Sequence, residues 1–234
     1  MRKIFCIVAT LLCACGAMAQ SQSEEPKGKA IINVFGNFHT GFGAENDDRG
    51  FSMDRSYFGY QYNMGNGLSF KAVMDVGKSS DVGDLQRIAY IKNAQVGWKR
   101  NRLTLNGGLI STTSFKVQEE FWGYRYMKMV LHDYYKFASS ADLGISASYK
   151  FADWVSGDAI VVNGNGYKKL QVNDGLLYGM GWTFKPVKGL TLRLYGSYNE
   201  SDKVSAEDTY VYAAFAGYKN DYFSLGAEYN IIQN

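Results

Sequence analysis

Gly189-Leu190-Thr191-Leu192-Arg193-Leu194-Tyr195-Gly196-Ser197-Tyr198-Asn199 alternates between apolar and polar side chains. A period of two describes a strand with Leu190, Leu192 and Leu194 on one face. Thr191, Arg193, Tyr195 and Ser197 take the other. The same pattern recurs in Asp221–Gln233, where Phe223, Leu225, Ala227, Tyr229 and Ile231 alternate with Tyr222, Ser224, Gly226, Glu228 and Asn230. It recurs in Arg102–Ile110 (Leu103, Leu105, Leu109 against Arg102, Thr104, Asn106) and in Asp142–Lys150 (Leu143, Ile145, Ala147, Tyr149 against Asp142, Ser146, Ser148, Lys150). Leu176–Lys185 sets Tyr178, Met180, Trp182 and Phe184 against Gly179, Gly181, Thr183 and Lys185.

Eleven such segments run from Lys29 to Gln233, and the gaps between them alternate in length. Those after even segments are tight: Met64-Gly65-Asn66, Arg100, Phe151-Ala152-Asp153-Trp154, Pro186-Val187-Lys188 and Lys219-Asn220. Those after odd segments are long and polar, near 43–50, 78–87, 112–140, 164–174 and 200–207. Antiparallel strands with short turns at one end and long loops at the other predict an all-β fold, an antiparallel transmembrane β-barrel of the outer-membrane kind. A soluble sandwich has no reason to sort loop length by sheet end.

Alternation then assigns a lipid face and a lumen face. Arg or Lys facing hydrocarbon at mid-membrane costs about 2–4 kcal/mol, so Arg193, Lys71 and Arg55 are expected to face water inside. Aromatic residues make up 15% of the chain, with 18 tyrosines. They gather beside the tight turns as Tyr60 and Tyr62; Trp98; Tyr149, Phe151 and Trp154; Trp182 and Phe184; Tyr218, Tyr222 and Phe223. That is where an interfacial girdle belongs. Mean hydropathy is −0.25, which suits a barrel because only every second residue meets lipid. A net charge of +3 gives no argument for nucleic acid.

Residues 1–19 read as a signal peptide: basic Arg2 and Lys3, an apolar stretch from Ile4 to Ala17, and a small-x-small site at Ala17-Met18-Ala19. A competing reading takes Leu12-Cys13-Ala14-Cys15 as a lipoprotein box with a lipid on Cys15, although Cys13 is unusual there. All three cysteines lie in this leader, so cleavage after Ala19 leaves a mature chain without disulfides or thiolate chemistry. A polar segment at 20–28 leads into the barrel, 29–234.

The gap 112–140 contains no Pro and one Gly. Trp122, Tyr126, Met129 or Val130, and Phe137 follow helical spacing, which predicts a short amphipathic helix within Val117–Tyr135. So apolar a loop is expected to fold into the lumen and narrow it. The candidate constriction charges are Arg125, Lys128 and Lys136, opposed by Glu119, Glu120 and Asp133. Lys71, Asp75, Arg55 and Arg193 would line the wall.

Glu119-Glu120-Phe121-Trp122-Gly123-Tyr124-Arg125-Tyr126, Ser139-Ser140-Ala141-Asp142-Leu143-Gly144, Val162-Asn163-Gly164-Asn165-Gly166-Tyr167-Lys168-Lys169, and Phe215-Ala216-Gly217-Tyr218-Lys219 with Gly226-Ala227-Glu228-Tyr229-Asn230 belong together as a set. The set resembles outer-membrane porins of the phosphate-selective O and P family, in the form common in Bacteroidetes. The resemblance covers most of the mature chain. It implies a homotrimeric, water-filled, sixteen-stranded barrel in the Gram-negative outer membrane, with an inward loop and passage of small anions. This chain is shorter than that, and the family's phosphate-binding arginines have no residue-by-residue match here.

The function expected is therefore a porin, a passive diffusion channel for small hydrophilic solutes or anions such as phosphate, without a cofactor or metal. The alternative is a non-conducting barrel acting in adhesion or as a structural anchor. No catalytic constellation stands out. His39 lacks a distinctive serine partner, and His132-Asp133 is a lone pair in the long loop. Gly164-Asn165-Gly166 lacks the third glycine of a nucleotide fingerprint. Glu45-Asn46-Asp47-Asp48 reads as a solvated acidic loop rather than a Ca²⁺ site. Eleven is an odd count, whereas single-chain bacterial barrels have even ones. The expectation drawn from it is a barrel incomplete at its C-terminal end, unless one boundary hides or invents a strand. The chain's close at Ile231-Ile232-Gln233-Asn234 also lacks the terminal aromatic that the resemblance implies.

Overall fold

Strict alternation over short segments produces strands that can satisfy their backbone only by pairing with one another. The computed structural model, which describes residues 27–41, 49–78, 86–169, 175–201 and 207–234, contains eleven of them. They are β1 (Lys27–Thr40), β2 (Arg49–Gly65), β3 (Leu68–Gly77), β4 (Ile88–Arg100), β5 (Leu103–Ser111), β6 (Ala141–Ala152), β7 (Val155–Val162), β8 (Leu177–Phe184), β9 (Leu190–Asn199), β10 (Thr209–Lys219) and β11 (Ser224–Gln233). Each is antiparallel to the next, in one sheet ordered β1 through β11. Two short helices, α1 (Lys116–Trp122) and α2 (Leu131–Tyr134), interrupt the long connection between β5 and β6. The fold is an all-β antiparallel, barrel-like sheet. Its eleven strands, counted among the described residues, stand against the sixteen that the family resemblance implies. The leader and Glu45–Asp48 lie outside the described residues.

The short connections take the geometry their residues allow. Between β2 and β3, Asn66 and Gly67 both have positive φ, 52° and 79°. Two left-handed central residues match the right-handed twist of the flanking strands, which is why Asn-Gly serves there. The turn between β4 and β5 falls at Asn101-Arg102, one residue beyond the Arg100 expected. The first strand starts at Lys27 rather than Lys29, and Tyr222 lies in the last turn, 93% exposed, rather than in the strand that follows.

Burial is inverted relative to a water-soluble domain. On β9, Thr191, Arg193, Tyr195 and Ser197 are buried, whereas Leu194 is 56% exposed. On β8, Gly179, Gly181 and Thr183 are buried, whereas Tyr178, Met180 and Trp182 are exposed. Ile32, Phe58, Ile91, Ile145, Leu225 and Tyr229 continue the exposed apolar surface around the sheet. A continuous apolar exterior over a polar interior needs a nonaqueous surrounding to be stable.

The aromatics beside the short turns form contacts along that rim. Tyr149 meets Phe151 at 4.9 Å between ring centroids, and Phe151 stacks on Trp182 at 5.2 Å. Trp154 stacks on Phe184 at 6.5 Å, and Tyr218 lies 5.9 Å from Phe223.

Leu109 departs from the face assignment made from alternation. It is buried against Ala141 and Tyr167, with Tyr90 and Leu143 alongside, whereas Leu103 and Leu105 on the same face are only half-buried. The connection after β7 folds Tyr167 back onto it, and its amide bonds the Ala141 carbonyl at 2.9 Å.

Candidate functional site

The connection between β5 and β6 folds onto the inward face and is fastened there from many strands. Ser114, Phe115, Gln118 and Phe121 are buried on and just before α1. Phe121 packs on Phe215 of β10 at 5.0 Å, and the Trp122 indole N–H donates to Glu228 of β11 at 3.1 Å. The Lys219 ammonium donates to the Phe121 carbonyl at 3.3 Å. His132 on α2 meets Asn230 of β11 at 3.2 Å and Tyr195 of β9 at 6.2 Å. At the other side, the Lys92 ammonium of β4 donates to Ser140 at 2.7 Å. One segment that touches both β4 and β11 requires the sheet to curl around it.

The single amphipathic helix expected over Val117–Tyr135 is two shorter ones. Gly123 closes α1 in the left-handed region, φ 72°, with its N–H on the Glu119 carbonyl at 2.9 Å. That turn breaks the helical spacing, so Tyr126 is 66% exposed rather than on a buried stripe with Trp122.

A hollow of about 380 Å³ lies between α1, the chain just after it and the wall of β1 to β5. Lys71, Lys92, Asn93 and Tyr57 line it from the wall; Lys116, Glu119, Arg125 and Tyr126 line it from the loop. Arg125 bonds Glu119 at 2.8 Å and also Asp133. Burial lowers its pKa, but the Asp133 hydrogen bond and the two carboxylates outweigh that and hold it above its ordinary value. Its charge is thus neutralised locally. Among the described residues no ion pair reaches Lys71 or Lys92. Lys92 instead sits over the faces of Tyr57 and Tyr167, at 4.9 and 4.8 Å. The hollow therefore carries an excess of positive charge.

Beside it, Arg55 pairs with Asp75 at 3.3 Å, and Asp75, 2% exposed, accepts the Tyr167 hydroxyl at 2.5 Å. Burial first, then the bond to Asp75, pushes the Tyr167 phenol above its ordinary range.

Of the residues expected to form the constriction, Glu119, Arg125 and Asp133 come together as one ion-pair cluster. Glu120 is exposed and pairs with Lys116 at 3.6 Å, outside the hollow's lining. Lys128 lies over the Tyr134 ring at 4.8 Å. Lys136 is exposed in the turn after α2, with φ 58°. Of the wall residues, Lys71 lines the hollow, and Arg55 and Asp75 form the adjoining pair. Arg193 faces inward but lies beneath the loop, 1% exposed. It bonds both oxygens of Asp158, the Thr183 hydroxyl at 3.0 Å and the Thr113 carbonyl at 2.8 Å. It fastens the loop to the wall rather than lining open space.

Lys92, Lys116 and Tyr167 were missed by sequence reasoning. Lys92 is the extra residue of a bulge, where Asn93 opposes Val73 and Ile91 opposes Met74. The cost argument that turned Lys71 inward applies to Lys92 equally and was the available signal.

No protein-family model matches this chain, and no curated protein matches it. Among solved structures it is similar to a loop L8 deletion mutant of OmpT, an outer membrane protein of Vibrio cholerae. The two share 13% of residues over 89% of this chain and 82% of that one, with a TM-score of 0.41. A likeness of that order carries no argument about activity.

Proposed function

We propose that this protein is an outer-membrane porin, a passive channel for small hydrophilic solutes with a preference for anions. The observation that carries the reading is the inverted burial, polar and charged residues inward and a continuous apolar face outward, around a loop folded against the inner wall. An apolar exterior with a rim of aromatics fits a bilayer. A polar interior with a cationic hollow fits water and dissolved ions. Among the described residues Lys71 and Lys92 line the hollow without entering an ion pair, and fixed charge in a narrow section sets the local concentration of counter-ions. The resemblance to the phosphate-selective porin family points the same way, and a trimer is part of that proposal.

The test is reconstitution of the full chain in planar bilayers under a salt gradient. Stepwise conductance is expected, with a reversal potential on the anion side. Changing Lys71 and Lys92 together to Glu is expected to move that potential toward cations. Silence from correctly folded, heat-modifiable protein would overturn the porin reading. Conductance with no shift in the double variant would remove these two lysines from the path.

A further inference from the structure

His132 is the least expected group in the molecule. It is a titratable side chain, 0% exposed, in a loop that must hold its place against the wall. Phe115, Phe137 and Tyr195 surround the imidazole at 5.7, 5.5 and 6.2 Å between ring centroids. Among the described residues its one hydrogen bond runs from Nδ1 to the Asn230 Oδ1 of β11, at 3.2 Å. With the proton assigned to Nδ1, Nε2 keeps a bare lone pair, and among the described residues Nε2 has no partner. That arrangement suits a neutral ring. A second proton would create a buried N–H with no acceptor among the described residues.

We propose that His132 is an acid-sensitive latch: neutral, it seats α2 and the inward loop against β9 and β11, and protonated, it releases them.

The surrounding charges do not rescue the protonated form. On the loop itself, Asp133 is engaged by Arg125. From β9, Arg193 faces the same region with its guanidinium 5.6 Å from the Tyr195 ring, and its charge is answered by Asp158 of β7. From β11, Glu228 accepts the Trp122 indole. None of these hydrogen-bonds the imidazole. Burial accordingly lowers the His132 pKa, opposed by the Asn230 bond and by Asp133. The released ring would titrate near the ordinary value of 6.5. The released state therefore binds the proton more readily than the seated one. Docking is at full strength above that value and weakens as pH falls from it toward the depressed one.

This inference does not depend on which solutes pass, and its experiment reads the loop rather than the current. The full chain is folded in detergent micelles, and hydrogen exchange is followed by mass spectrometry over 112–140 at pH 7.5 and 5.0, corrected for the intrinsic pH dependence of exchange. Protection of 130–137 is expected to fall by about tenfold or more at the lower pH, while the strand amides hold. His132→Phe keeps the aromatic packing without the titration and is expected to abolish the pH response. Should that variant fail to fold, His132→Gln takes its place with the same expected loss. Equal protection of the wild-type loop at the two pH values would overturn the proposal, and so would an undiminished response in the variant.

Discussion

Replacing Arg193 with Met separates a fastening role from a pore-lining one. Arg193 reaches across β8 to Asp158 of β7, and it can do so because Gly181 lies between them. A methyl at Gly181 would run into the guanidinium. Arg193→Met leaves the Asp158 carboxylate, 13% exposed, without its counter-charge. Removing one member of a buried pair costs about 3–5 kcal/mol. The Thr113 carbonyl also loses its donor, worth about 1–3 kcal/mol if water does not replace it. Losing the counter-charge is the larger effect. Replacing both members with apolar residues removes the stranded charge, so Arg193→Met with Asp158→Leu is expected to recover most of the loss. The assay is heat-modifiable migration of the full chain across a urea series, which gives the folded fraction. A single variant within about 1 kcal/mol of wild type, or a double variant no more stable than the single, would refute the reasoning.

Deleting 117–135 is expected to raise single-channel conductance and reduce ion selectivity, because α1 and Arg125 leave the hollow; unchanged conductance would place the loop outside the path. Gly123→Ala puts a side chain at φ 72° with nothing within 4 Å, so only the backbone resists. The expected cost is about 1–2 kcal/mol in the same urea series, with Gly123→Asn milder. A loss as large as that of Arg193→Met would mean that the glycine makes contacts the geometry does not contain.

What was legible from the sequence is what a period of two can carry. Leu190, Leu192 and Leu194 against Thr191, Arg193, Tyr195 and Ser197 fixes the two faces of β9 without any knowledge of neighbours, since adjacent side chains must point apart. The order of strands followed from connection lengths, since tight turns force antiparallel neighbours. The helical period of the long connection was read through Gly123, a residue able to take a left-handed turn and so to end a helix where the spacing alone continued it. Leu109 failed for another reason: alternation says which way a side chain points, and not whether a distant tyrosine folds over it. The site was least legible because its pairs are long-range. Arg125 finds Asp133 within the loop, but Arg193 and Asp158 lie 35 positions apart and His132 and Asn230 lie 98 apart. An inward Arg193 was correctly placed on its face and then assigned to water, because nothing in one strand says what covers it. Charges on a lumen face are therefore a pool of candidates, and loop packing divides them. Those beneath the loop, such as Arg193, are consumed in fastening it. Those beside it that enter no ion pair among the described residues, Lys71 and Lys92, are the ones the proposed channel would present to a passing ion.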